Sequence, residues 1–290
     1  MATVSVNRVR IGYDEAGDGP VVVFVHGGLL DRRSWDHQFA DLASDHRVVR
    51  YDHREYGESE SGTGDFAYHE DLLAFMDALR IERATLVGNS MGGGHAVQAA
   101  LVAPDRVERL VLVASGLDGH AWPQTFVEQA IARVRNSVPD ERRERYRVGN
   151  GTGVPEFEAD LAAYVEAHLR WMIAGPDRTE HDLPEGVWVR AKDMFRGYVR
   201  RRWTEPGPTE REPAVATEDL LQAVRAPALV VNGLADVPEL QVISDLLTDP
   251  ASGIPGARRL DLPDTAHAPQ MERPAEVTAA IRAFLKTTAL

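Results

Sequence analysis

The chain has 290 residues, 43% of them apolar and 27% charged, with no cysteine and a formal net charge of −13. This apolar content excludes a disordered chain, and the absence of any run of about 18 apolar residues excludes a membrane span. Lacking cysteine, it has no disulfide, thiolate zinc site or cysteine nucleophile, and its acidic balance argues against nucleic acid or an anionic membrane as partner.

The first eight residues lack the basic-then-apolar layout of a signal peptide, so the expected location is cytoplasmic. Residues 3–6 and 9–13 read as an antiparallel hairpin, closed off by Gly17-Asp18-Gly19-Pro20. Short β-branched runs follow at 21–25, 48–52, 84–88, 110–114, 228–232 and 258–262. Between them lie helical stretches at 34–43, 68–79, 91–102, 238–247 and 274–286. In the last of these Val277, Ile281, Phe284 and Leu285 recur at helical spacing. Alternation of this kind marks an α/β fold with a mostly parallel, doubly wound sheet. The near-continuous apolar runs are those of strands covered on both faces.

One stretch breaks the rhythm. Residues 117–224 hold helix-like pieces separated by Gly and Pro, and four of the five tryptophans: Trp122, Trp171, Trp188 and Trp203. Residues 119–213 carry 15 Lys and Arg against 16 Asp and Glu, leaving 17 against 29 for the remainder. A near-neutral, tryptophan-rich helical insertion in an acidic body reads as a cap over a site. The expected division is a body of residues 1–116 and 225–290 with a helical cap at 117–224. Residues 206–213, rich in Pro and Gly, read as an exposed linker back to the body.

The strongest chemical signal is Gly88-Asn89-Ser90-Met91-Gly92, which ends a strand and opens a helix. That context forces Ser90 onto a tight turn where only small neighbours fit. The Met91 N–H, at a helix N-terminus, is suited to stabilising an oxyanion. A serine hydroxyl needs a base, and the base needs a carboxylate to orient it. Asp236 follows the strand at 228–232 and His267 follows the strand at 258–262. The C-terminal ends of parallel strands share one edge, so Ser90, Asp236 and His267 can converge there.

These motifs resemble the α/β-hydrolase superfamily over nearly the whole chain. His26-Gly27-Gly28 after the strand at 21–25 is similar to its oxyanion loop. The resemblance implies Gly28 as the second oxyanion donor beside Met91, with Leu29 as the near alternative, and a structural role for His26. Tyr51-Asp52-His53-Arg54-Glu55-Tyr56-Gly57-Glu58-Ser59 is similar to the D-x-R-G-x-G-x-S turn, departing at Glu55, where glycine is usual. Gly233-Leu234-Ala235-Asp236 resembles the acid motif, and His267 through Glu272-Arg273-Pro274 resembles the pattern around the base.

Relatives that open epoxides or cleave carbon–halogen bonds use an aspartate at the elbow, so a serine there implies acyl chemistry. Hydrolysis of a carboxylic ester or lactone leads, needing no cofactor and no metal. The alternatives are carbon–carbon hydrolysis of vinylogous diketones, perhydrolase-type activity, peptidase action on an N-terminal residue, and a ligand sensor of the same fold. The expected partner is a small-molecule substrate. Trp122, Phe126, Trp171, Trp188, Phe195 and Tyr198 are the candidate substrate-binding side chains, whose flat rings suit a bulky apolar group. Arg200, Arg201 and Arg202 read as a solvated helix face, as do residues 156–160. His95 and Trp35 read as packing residues, and His120 stands at the cap entrance.

Overall fold

The computed structural model describes residues 2–147, 153–211, 213 and 216–287. Eight strands form one sheet: β1 (Ala2–Val6), β2 (Val9–Ala16), β3 (Val21–Val25), β4 (Arg47–Tyr51), β6 (Ala84–Asn89), β7 (Val107–Val113), β9 (Ala228–Gly233) and β10 (Arg258–Leu262). The two remaining strands, β5 (Asp65–Phe66) and β8 (Thr209–Glu210), pair with each other alone. The order across the main sheet is β1-β2-β4-β3-β6-β7-β9-β10. Pairings from β4 through β10 are parallel, while β2 runs antiparallel to both β1 and β4. The chain is thus the expected α/β fold with a mostly parallel sheet. Its order reverses beside β3, which opens a crevice past the C-terminal ends of β3 and β6.

Period-2 alternation divides the strand residues between two faces. Val23, Val25 and Leu86 pack with Leu72, Phe75 and Val97 of the helices Tyr68–Ala78 and Met91–Val102. On the other face Val22, Phe24 and Val87 pack with Trp35, Val277 and Ile281. Strand β7 starts three residues earlier than its apolar run. The reason is that Val107 and Arg109 pair with Ala84 and Thr85, while Glu108 stands at a bulge between them and forms an ion pair with Arg109, which also reaches the Thr287 carbonyl at 2.8 Å. The helix expected at 34–43 is split into a 3₁₀ turn, Arg32–Trp35, and a helix, Asp36–Leu42. Asp31 caps the turn by accepting the Arg33 N–H at 2.9 Å.

Between β7 and β9 the described residues are mainly helical apart from β8, with principal helices Gln124–Arg133, Phe157–Leu169 and Val187–Thr204. The last two pack through Leu161, Val165, Phe195, Val199 and Trp203, an apolar cluster separate from the two on the sheet. The helix ending at Leu169 continues as a π-helical turn, Arg170–Ala174, closed by Gly175 at φ 100°. Residues 206–213 are not a free linker, although Thr209 and Glu210 are exposed. The β5–β8 ladder fastens them to the body: Thr209 N–H donates to Gly64 O and Arg211 N–H to Phe66 O. Glu212 of that stretch lies outside the described residues. Among the described residues no helix is long and apolar enough to cross a membrane.

Candidate active site

Ser90 sits between β6 and the helix Met91–Val102 at φ 51°, ψ −123°. A left-handed φ is costly for a residue with a Cβ and persists only where its surroundings enforce it. Here they do. The Ser90 N–H donates to Val113 O at 3.0 Å, and its carbonyl accepts from Gly93 at 2.8 Å and Gly116 at 2.9 Å. The flanking glycines are required by contact: a Cβ on Gly88 would lie 2.4 Å from Gly92 O, and one on Gly92 2.5 Å from Val25 O.

The structure brings Ser90, Asp236 and His267 together. His267 Nε2 is 2.7 Å from Ser90 Oγ, and its Nδ1 is 2.7 Å from Asp236 Oδ2. An ionised carboxylate only accepts, so Nδ1 carries the proton and Nε2 is left to accept the serine hydroxyl. Both Asp236 and His267 are buried. The other Asp236 oxygen accepts the Val237 N–H at 2.7 Å, and Ala235 N–H donates to Thr265 O at 2.8 Å, joining the two loops. Asn89 Nδ2 donates to the carbonyls of both Val113 and His267, tying the His267 loop to the strand before the serine.

The loop after β3 approaches from the other side. His26 is wholly engaged in holding it: Nε2 accepts the His53 N–H at 3.0 Å and Nδ1 lies 2.9 Å from Gly27 O. Leu30 N–H closes the loop on Gly27 O. A Cβ on Gly27 would meet Asn89 Oδ1 at 2.6 Å and Ser90 Cβ at 3.0 Å, so only glycine allows this approach. Gly28, Leu29 and Met91 line the same cavity as Ser90 and His267.

That cavity, about 520 Å³, is roofed by the helical insertion. Of the sequence candidates, Phe126, Trp171, Phe195 and Tyr198 line it. Trp122, stacked on Phe126 at 4.3 Å, lines an adjoining lobe of about 600 Å³ instead. Trp188 lines neither and packs half-buried on the insertion's own core. Sequence reasoning missed Tyr164, His168 and Arg202 as lining residues. His120 pairs with Glu218 at 2.5 Å, Trp35 is fully buried against Phe24, and His95 contacts Asp118 and Tyr68.

Glu55 adopts φ 72°, the conformation that makes glycine usual in this turn. Its side chain has a use that glycine lacks. The buried carboxylate accepts from Arg202 at 2.8 Å, while burial pushes its pKa up and Arg202 pulls it back. Arg201 donates to Ser59 O at 2.7 Å, and Tyr56 stacks on Tyr198 at 4.1 Å with the rings nearly parallel. Arg201 and Arg202 are therefore anchors onto the turn, not a solvated face. Likewise Asp160 is buried and accepts the Tyr146 hydroxyl at 2.5 Å. Among the described residues no three His, Asp or Glu side chains are grouped to hold a metal ion.

The profile of the alpha/beta hydrolase fold family matches residues 20–274, and the chain belongs to that family. It is 33% identical over 207 residues to 2-hydroxymuconate semialdehyde hydrolase of a Pseudomonas species, covering 62% of this chain and 72% of the other. To rhodomycin D methylesterase of a Streptomyces species it is 27% identical, covering 89% and 87%. The enol-lactonase structure from Burkholderia xenovorans superposes with a TM-score of 0.69 at 25% identity, over 99% of this chain and 100% of that one. The chain spans only about a third, 34%, of the length of an uncharacterised Mycobacterium tuberculosis relative.

Proposed function

We propose that this protein is a serine hydrolase that cleaves a carboxylic ester or lactone of a bulky apolar small molecule through an acyl-enzyme. The observation that carries this is the pair of 2.7 Å hydrogen bonds joining Ser90, His267 and Asp236 at the floor of an aromatic-walled cavity. Ser90 Oγ gives its proton to His267 Nε2 as it attacks the carbonyl carbon, and Asp236 holds the imidazolium that forms. The tetrahedral oxyanion takes the N–H groups of Met91 and Gly28, with Leu29 as the neighbouring donor on the same loop. His267 then protonates the leaving alcohol, and the same ring activates the water that releases the acyl group. Residues 117–224 act as a cap on a body of residues 1–116 and 225–290, with Phe126, Trp171, Phe195 and Tyr198 holding the apolar part of the substrate.

Similarity to a methylesterase across nearly the whole chain supports the ester reading. The carbon–carbon hydrolase among the relatives supports a second one, cleavage of a vinylogous diketone by the same serine. Steady-state hydrolysis of p-nitrophenyl esters from acetate to decanoate, with Ser90→Ala beside the parent, tests the first. Saturable turnover that falls by ~10³ or more in Ser90→Ala is expected. A folded parent that cleaves no ester but turns over a vinylogous diketone would replace the first reading with the second.

A further inference from the structure

His168 stands where the two lobes meet. It lines both the cavity that holds Ser90 and the adjoining one, together with Phe126, Tyr164 and Trp171. Its Nδ1 lies 3.1 Å from the Tyr164 carbonyl, one turn earlier in the helix Phe157–Leu169. A carbonyl only accepts, so Nδ1 carries the proton and Nε2 presents a lone pair. The ring is held between Tyr164 at 4.6 Å and Phe195 at 5.1 Å, both edge-on, so it cannot turn away freely. Burial lowers its pKa to about 4, which keeps it neutral at working pH. No donor among the described residues takes Nε2. A fixed neutral acceptor thus interrupts an otherwise aromatic wall.

The surrounding charges say what kind of donor fits. Arg147 and Arg202 line the lobe that holds Ser90, whose described lining includes no carboxylate, so an ammonium group is disfavoured there; Asp140 and Glu144 line only the adjoining lobe. The aromatic walls on either side favour a flat ring system. We propose that His168 is a specificity-determining residue whose Nε2 accepts a hydrogen bond from a phenolic hydroxyl on the ring system of an aromatic ester, remote from the ester group. This rests on the ester reading of the Ser90 site. An analogue without the hydroxyl would leave Nε2 buried and unpaired, the circumstance in which polar recognition discriminates most sharply.

The test separates recognition from turnover. Calorimetric titration of the Ser90→Ala protein, which keeps the cavity, compares methyl 2-naphthoate with its 5-, 6- and 7-hydroxy isomers. At least one hydroxy isomer is expected to bind tenfold or more tightly than the unsubstituted ester. Adding His168→Phe should erase that gap while retaining affinity for the unsubstituted ester. Equal binding of all four, binding of none, or a gap that survives His168→Phe overturns the proposal. The ester reading stands or falls separately, on p-nitrophenyl ester turnover by the parent.

Discussion

Arg178 of the helical insertion donates to the carboxylate of Glu272 across 2.9 Å, and that same carboxylate receives the N–H of Ala266, one residue before His267. The Glu272 side chain is 1% exposed and that of Arg178 14%. Gly175, which ends the π-helical turn, packs so close to Ala235 O that a Cβ there would lie 2.4 Å away. One short segment of the insertion therefore touches both the loop bearing Asp236 and the loop bearing His267. Burial holds the Glu272 carboxyl above its ordinary value, the Ala266 amide and Arg178 pull it down, and Asp236 adds to the push upward.

Replacing Arg178 by Met removes the cation and leaves a buried carboxylate uncompensated. Breaking one side of a buried pair costs about 3–5 kcal/mol. Because the folded pKa of Glu272 then rises further above its unfolded value, the folded state binds more protons, and stability falls as pH rises through that pKa. The deficit of Arg178→Met relative to the parent should be largest near pH 8 and shrink toward pH 5. The double variant Arg178→Met/Glu272→Gln should recover most of it. Urea midpoints of the three proteins across that range check this, and a deficit independent of pH would contradict it.

Glu55 offers a comparison between strain and anchorage. Its left-handed backbone costs about 1 kcal/mol that glycine would not incur, and its carboxylate holds Arg202. Glu55→Gly loses the anchor and relieves the strain, whereas Glu55→Ala loses the anchor and keeps the strain. The alanine variant should therefore be less stable than the glycine variant by about 1 kcal/mol. Equal urea midpoints for the two would mean that the turn is not strained at this position.

His26 can satisfy both of its neighbours only as the neutral Nδ1–H tautomer, because Nε2 must accept the His53 amide while Nδ1 faces the Gly27 carbonyl. Burial lowers its pKa to about 4. Relative to an unfolded value near 6.5, that difference is worth about 3 kcal/mol. This contribution is complete above pH 6.5 and is lost as pH falls through the folded value near 4. Asp52, held up to about 6 by burial, works in the opposite sense over part of that range. Nitrogen chemical shifts at pH 5 should show His26 neutral and protonated on Nδ1; a charged ring at that pH would refute the assignment.

What could be read from the sequence was what repeats or sits beside itself in the chain. The apolar runs of β3, β6 and β9 announce buried parallel strands, and Gly88, Ser90 and Gly92 announce the elbow because their constraint is local. Arg178–Glu272 and Glu55–Arg202 could not be read this way, since ion pairs across roughly 90 and 150 residues leave no period. Helical spacing also gives a face but not a height. Trp188 and Phe195 lie seven residues apart and so nearly on one face, yet about 10 Å apart along the axis. Phe195 reaches the cavity and Trp188 stops short of it. The lining histidine escaped notice because His168 is marked only by its contact with a carbonyl four residues earlier.

The loop after β3 gives the most direct test of the proposed oxyanion hole, because its two glycines differ in what a methyl group would meet. On Gly27 it would press against Asn89 Oδ1 at 2.6 Å and Ser90 Cβ at 3.0 Å, forcing the loop away from the serine. On Gly28 it would meet Met91 Sδ at 3.5 Å and Tyr56 Oη at 3.6 Å, ordinary contacts. Displacing preorganised donors by a fraction of an ångström to 1 Å weakens them where charge develops in the transition state, and such losses reach ~10²-fold. Gly27→Ala should therefore lower kcat for p-nitrophenyl acetate by about 10²-fold with KM little changed, while Gly28→Ala stays within severalfold of the parent. Both should melt within a few degrees of the parent. If Gly27→Ala kept full kcat in a folded protein, this loop would not be supplying the oxyanion donors.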